Sequence, residues 1–265
     1  MTAPQPRDPA AGKSIASAEL RRHIERLRQV VIGAGFEPRS AVGHMKFERN
    51  VLDRKVVLTA GSRSRNRYLH PDISRRVHTG MVLSLKVETS VQTRLLFSPA
   101  ASRARWLIGF LQRRAGNTDL GDLGGAYPGS WIWASEPAWA RRFLVRDEAH
   151  RQVTNLLGSG DTPPGALAWG PQTDIGACSF TPAFVPPDLT EEALQEWVGA
   201  LVALATAAEE DPPEVTALPS WWGRQAEQGN LPMIIALLLL GIPMLLMGLV
   251  VLLALALILL VALFD

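Results

Sequence analysis

The densest set of side chains able to do chemistry in this sequence is cationic. Arg63, Arg65, Arg67, Arg75 and Arg76 fall within fourteen residues. Guanidinium groups in such a cluster bind phosphates or carboxylates through paired, charge-assisted hydrogen bonds. The ligands that fit are anionic lipid headgroups and an acidic protein partner. Nucleic acid is not expected, because no nucleic-acid-binding module accompanies the charge. The plain alternative is a solvated, Arg-rich loop spanning Ser62 to Arg67, followed by His70-Pro71-Asp72.

Other constellations are weaker. His44, His70, His78 and His150 include no i, i+4 pair with a Glu between, so they do not form a helix-borne zinc motif. Cys178 is the single cysteine, which rules out an intramolecular disulfide and points to an inert core position in a strand. Ser130 and Ser159 lack an identifiable base and no G-x-S-x-G surrounds them. Asp119 and Asp122 sit in a Gly-rich stretch without the ligand series of a calcium loop. Val30 to Phe36 (VVIGAGF) resembles the start of a dinucleotide fingerprint, but Pro38 stands at the third glycine position. The segment before it is a charged amphipathic helix rather than a strand, so the glycines read as a helix stop. No cofactor and no metal are expected. Trp131 and Trp133 share one face of a strand, where core packing is the default and exposure would mark a binding surface.

Charge is divided along the chain. The net charge of +2 conceals 22 Lys and Arg against 8 Asp and Glu in residues 1–114, and 5 against 16 in residues 115–230. Either the halves neutralise each other on folding or the basic part meets an acidic partner.

Leu231 to Phe264 is a 34-residue apolar run without one charge. A bilayer core of ~30 Å needs only ~20 helical residues, so this run suits one tilted or kinked span. Gly241 and Pro243 mark the expected kink, because proline removes a backbone donor and crowds the preceding turn. A hairpin turning there is disfavoured, since its first arm of about ten residues is too short to cross. Trp221, Trp222 and Arg224 precede the run as interfacial anchors should. The expectation is a tail-anchored, single-pass protein with its N-terminal domain in the cytoplasm, in a bacterial inner membrane. Residues 1–14 carry no apolar signal segment and read as a disordered leader.

The elements that must position these groups follow from periodicity. Ser17 to Val31 has the 3.6-residue apolar spacing of an amphipathic helix. Strand-like runs occur at Val56 to Leu58, Met81 to Thr89, Thr93 to Phe97, Trp131 to Ala134, Ala166 to Trp169 and Ala177 to Phe184. Trp106 to Leu111 reads as a short helix, Gly116 to Gly129 as a loop, and Pro137 to Val145 and Asp147 to Leu157 as helices. Thr190 to Glu209 is the clearest helix, with Glu191 and Glu192 at its positive end. This order indicates an α+β domain over residues 15–210, with helices against a mainly antiparallel sheet. Residues 211–230 form a juxtamembrane linker and 231–264 the anchor. The functional expectation is a membrane-anchored interaction or scaffold module, an accessory part of a membrane assembly bound to a protein partner. A membrane-tethered hydrolase or transferase, assembled around residues such as His70, Asp72 and Arg75, is the competing reading. A sensor of anionic lipid is the third.

Overall fold

The computed structural model describes residues 17–40, 44–70, 73–100, 105–158, 164–172, 175–217 and 247; side chains at 17, 18, 65–78 and 105 are not described. The chain separates into one compact unit ending at Leu218 and a second from Pro219 to Asp265. Apart from Met247, the second unit lies outside the described residues, and with it Trp221, Trp222, Arg224, Gly241, Pro243 and the apolar run. Among the described residues no helix is long and apolar enough to cross a membrane.

The first unit is α+β. It opens with α1 (Ser17–Gly33), β1 (Glu37–Arg39), β2 (Met45–Val51), β3 (Arg54–His70), β4 (Ile73–Thr89) and β5 (Leu95–Pro99). It continues with α2 (Arg105–Arg114), β6 (Thr118–Gly121), β7 (Ser130–Ala134), α3 (Pro137–Leu144) and α4 (Asp147–Leu157). It ends with β8 (Ala166–Pro171), β9 (Gly176–Thr181) and α5 (Glu191–Glu210). The strands form one nine-stranded sheet in the order β1-β2-β3-β4-β9-β8-β5-β7-β6, with every described pairing antiparallel.

Local chemistry accounts for several boundaries. After α1, Gly35 adopts φ +85° while its N–H donates to Ile32 O and Phe36 N–H donates to Val31 O. That is a Schellman ending, with Phe36 buried against the helix, and it explains Gly33-Ala34-Gly35 without a nucleotide. The Thr190 hydroxyl accepts from Ala193 N at the start of α5. Leu52 and Asp53 both take positive φ, 48° and 61°, in the two-residue loop joining β2 to β3. Both angles match a type I′ turn, which suits strand twist but strains any residue with a Cβ.

One row of cross-strand partners makes the core. Leu58 faces Leu85, then Phe180, Leu167, Phe97 and Ile132 in register across six strands. All six are fully or almost fully buried, and α1, α3, α4 and α5 close over them. Trp139 stacks on Phe143 at 5.0 Å between ring centroids, and Phe143 meets Trp169 edge-on. Cys178 belongs to this layer, and burial pushes its thiol well above its ordinary pKa.

The halves of opposite charge meet at a part-buried pair. Arg54 at the start of β3 forks onto Glu209 of α5 at 2.5 and 2.7 Å. Glu209 also accepts from the Thr89 hydroxyl and Ser90 N–H, both at 2.7 Å. Held first by Arg54 and then by these donors, its carboxyl falls to a pKa of about 2. The segment after α5 is tied down as well. Trp139 Nε1 donates to Asp211 O at 2.6 Å, Arg146 pairs with Asp211, and the Glu136 carboxylate accepts from Glu214 and Val215 N–H. Ala217 N–H donates to Gln92 O at 2.8 Å.

Candidate functional site: a basic ribbon and an open sheet face

The basic stretch expected as a loop over Ser62 to Arg67 is strand. β2 pairs with β3 only as far as Ala60, and β9 pairs with β4 only from Leu85 onward. Between those limits Gly61 to His70 pair, among the described residues, solely with Ile73 to Val82. The two strands therefore run on beyond the sheet as a two-stranded ribbon of about 33 Å, at about 3.3 Å per residue. The loop expectation failed because both faces of this segment are polar, which removes the alternation that reveals a half-buried strand.

Register places the five arginines on this ribbon. Arg63 lies opposite Gly80, Arg65 opposite Val77, Arg76 opposite Asn66, and Arg67 directly opposite Arg75. Like charges in directly opposed positions destabilise a strand pair. A register shift between Arg63 and Ser64 makes a bulge, and Gly80 nearby takes φ +146°. Bulges raise twist and re-aim a ribbon. Arg63 is exposed. Asp72 lies outside the described residues, and His70 and Arg75 fall at the ribbon's outer end.

The chain leaves the first unit at the other end of the sheet. β5 runs toward the ribbon end, since Phe97 lies level with Leu167, Phe180 and Leu85. Gln92 precedes β5, so Ala217, bonded to Gln92, sits at the end opposite the ribbon.

The sheet face away from the core is of a different make. Val57, Thr59, Ser84, Lys86, Ala168 and Ser179 alternate with the core residues and are half-buried. Thr181 and Ser84 share a hydrogen bond there at 3.3 Å. Among the described helices only α2 covers this face. Gly109 seats it on Trp133, where an added Cβ would stand 3.4 Å from the indole, and the Arg113 guanidinium lies 5.9 Å over the same ring. Trp133 is thereby buried, whereas Trp131 on the same strand face stays half-buried. The far side of α2 is apolar and exposed, with Trp106 at 74%, Phe110 at 55% and Leu111 at 53%. Sequence reasoning found this helix but not its exposure. The signal was the doublet spacing Trp106-Leu107 and Phe110-Leu111, which only tertiary placement could assign to solvent or core.

Two concavities lie elsewhere on the described surface. A groove of about 400 Å³ lies between α4 and α5, floored by Gly199, Val202, Ala203 and Thr206 and rimmed by Arg146 and Glu148. A dent of about 70 Å³ lies where α1 meets Gly80, Met81 and Phe184. Elsewhere the tempting residues are structural or scattered. Ser130 is buried, and the Asp119 carboxylate accepts from Gly121 N–H at 2.9 Å as a turn bond. His150 packs its ring at 5.2 Å from Tyr127, whose hydroxyl donates to Leu144 O and is pushed up in pKa by burial. Among the described residues no group of three His, Cys, Asp or Glu converges as metal ligands would.

No protein-family model, curated protein or solved structure matches the chain.

Proposed function

We propose that this protein is a membrane-anchored interaction module, an accessory component of a membrane-associated assembly, whose basic ribbon holds an acidic protein partner. The single observation behind this reading is the ribbon itself: paired backbone carrying five arginines beyond the sheet, with Arg67 opposite Arg75. An isolated two-stranded ribbon is marginal in water, and opposed like charges weaken it further. An anionic partner supplies both the missing contacts and the counter-charge. The 34-residue uncharged run supports the anchor, by its length and composition.

Co-purification from its native membrane in mild detergent tests the reading. The full chain should carry a stoichiometric partner, and Arg65→Ser/Arg67→Ser/Arg75→Ser/Arg76→Ser should lose it, as should high salt. A monomeric, partner-free protein overturns the proposal. Topology is tested with Asp265→Cys in a Cys178→Ala background. Labelling by an impermeant thiol reagent from the non-cytoplasmic side supports a single span, and labelling from the cytoplasmic side restores the hairpin.

The ribbon's charge also favours a second reading, contact with anionic lipid, at about 1 kcal/mol per basic residue near the leaflet. Salt-sensitive preference of the reconstituted protein for anionic vesicles, lost in the four-Ser variant, would support it.

A further inference from the structure

Eleven large apolar side chains are exposed among the described residues, and four of them fall within six consecutive positions of α2. They are Trp106, Leu107, Phe110 and Leu111. At about 100° per residue these positions cover an arc of roughly 140° on one side of the helix. The opposite side is committed, because Gly109 seats on Trp133 and Arg113 lies over the same indole. Gln112 is held too, accepting from Asn117 Nδ2 at 2.5 Å. The helix thus cannot roll to hide its apolar arc without surrendering its seat. Contiguous exposed apolar surface of this kind marks a contact with a nonaqueous neighbour.

We propose that α2 is a membrane-interface helix, lying along the lipid–water boundary with Trp106, Leu107, Phe110 and Leu111 toward the acyl chains. The inference rests on the anchored reading of the chain. Charge complementarity names the lipid. Arg114 occupies the last turn, exposed and within the apolar arc, where it reaches anionic phosphates by snorkelling. Tryptophan at one end and arginine at the other is the composition of an interfacial element. Ten residues make a helix of about 15 Å, too short to span and long enough to lie flat. The tether allows it. Between Ala217 and Leu231 stand thirteen residues, a reach of up to about 45 Å when extended. Membrane contact through α2 would orient the domain, turning a leash into a fixed attitude.

The test uses the full chain reconstituted in phosphatidylglycerol-containing vesicles, with Cys178→Ala and one new cysteine carrying an environment-sensitive fluorophore. Phe110→Cys reports on α2, and Asn155→Cys, exposed on α4 in the opposite layer, is the control. Brominated acyl chains should quench the label at 110 by half or more and leave the label at 155 unchanged. Aqueous iodide should do the reverse. In neutral phosphatidylcholine vesicles, or with Arg114→Gln, quenching at 110 by lipid should fall at least twofold. A label at 110 open to iodide in vesicle-bound protein overturns the inference and leaves the anchor standing. So does a label shielded from both quenchers, which would mean a protein cover. If the chain never enters the vesicle fraction, the anchored reading fails, and this inference fails with it.

Discussion

The two faces of the nine-stranded sheet are made from alternate residues of the same strands, yet they follow different rules. On one, Leu58, Leu85, Phe180, Leu167, Phe97 and Ile132 form an unbroken apolar row under four helices. On the other, Thr59, Ser84, Ala168 and Ser179 make a smooth half-buried surface with one helix at its edge. The inner face is fixed by the need to bury area, so volume matters at every position. The outer face is held by backbone pairing and by polar cross-strand contacts such as Ser84 with Thr181 and Glu48 with Lys46 and Lys55, so its composition is freer to answer to whatever lies outside. The ribbon extends that contrast, being backbone paired to a single neighbouring strand among the described residues.

Substitution should separate the faces sharply. Phe180→Ala removes a buried ring from the inner row and should cost about 3–5 kcal/mol, whereas Ser179→Ala beside it should cost under about 1 kcal/mol. Urea denaturation followed by core Trp fluorescence gives both values, and comparable losses would break the distinction. Gly176→Ala should approach the larger effect, about 3 kcal/mol. There an added Cβ would stand 1.7 Å from Val91 O, a backbone atom that cannot swing aside.

Glu209→Gln should cost about 2 kcal/mol near neutral pH, since it leaves the partly buried Arg54 fork unbalanced. The same pair sets a pH dependence. Its carboxyl has a folded-state pKa of about 2, below the ordinary 4.5. A depressed carboxylate stabilises the fold fully above the unfolded value and loses that contribution as pH falls from 4.5 toward 2. The urea midpoint of the parent protein should therefore drop more between pH 6 and about pH 3 than that of Glu209→Gln. Equal drops would remove Glu209 from the account.

The smallest expected effect is a gain. Leu52 is 79% exposed and sits at φ 48°. Leu52→Asn should stabilise by up to about 1 kcal/mol, because asparagine tolerates that conformation and little packing is lost. A loss above about 1 kcal/mol would show that the exposed leucine packs against something the turn geometry does not explain.

Much of the helical layer was legible in the sequence. Pro137 at a helix start, Gly158 after the α4 run, and the Thr190-Glu-Glu opening of α5 are local signals, read within one turn of the chain. The core strands were legible where apolar residues alternate, as in Met81 to Thr89. The basic ribbon was not, because Arg, Ser and Asn on both faces carry no period that distinguishes strand from loop. β6 was hidden in the Gly-rich stretch for the same reason. Its pairing with β7 is decided by a partner strand rather than by its own residues.

By itself, the sequence determined the α+β class, the helix limits, the inner alternation and the uncharged run, all properties of near neighbours along the chain. Only tertiary structure decided that β9 enters beside β4, that β5 lies between β8 and β7, and that Arg54 meets Glu209 across 155 positions. It also decided that α2 shows its apolar side outward, since exposure depends on what Trp133 and Gly109 already occupy. Periodicity is written by local geometry, whereas register, strand order and exposure are settled by the competition of all elements for one buried core.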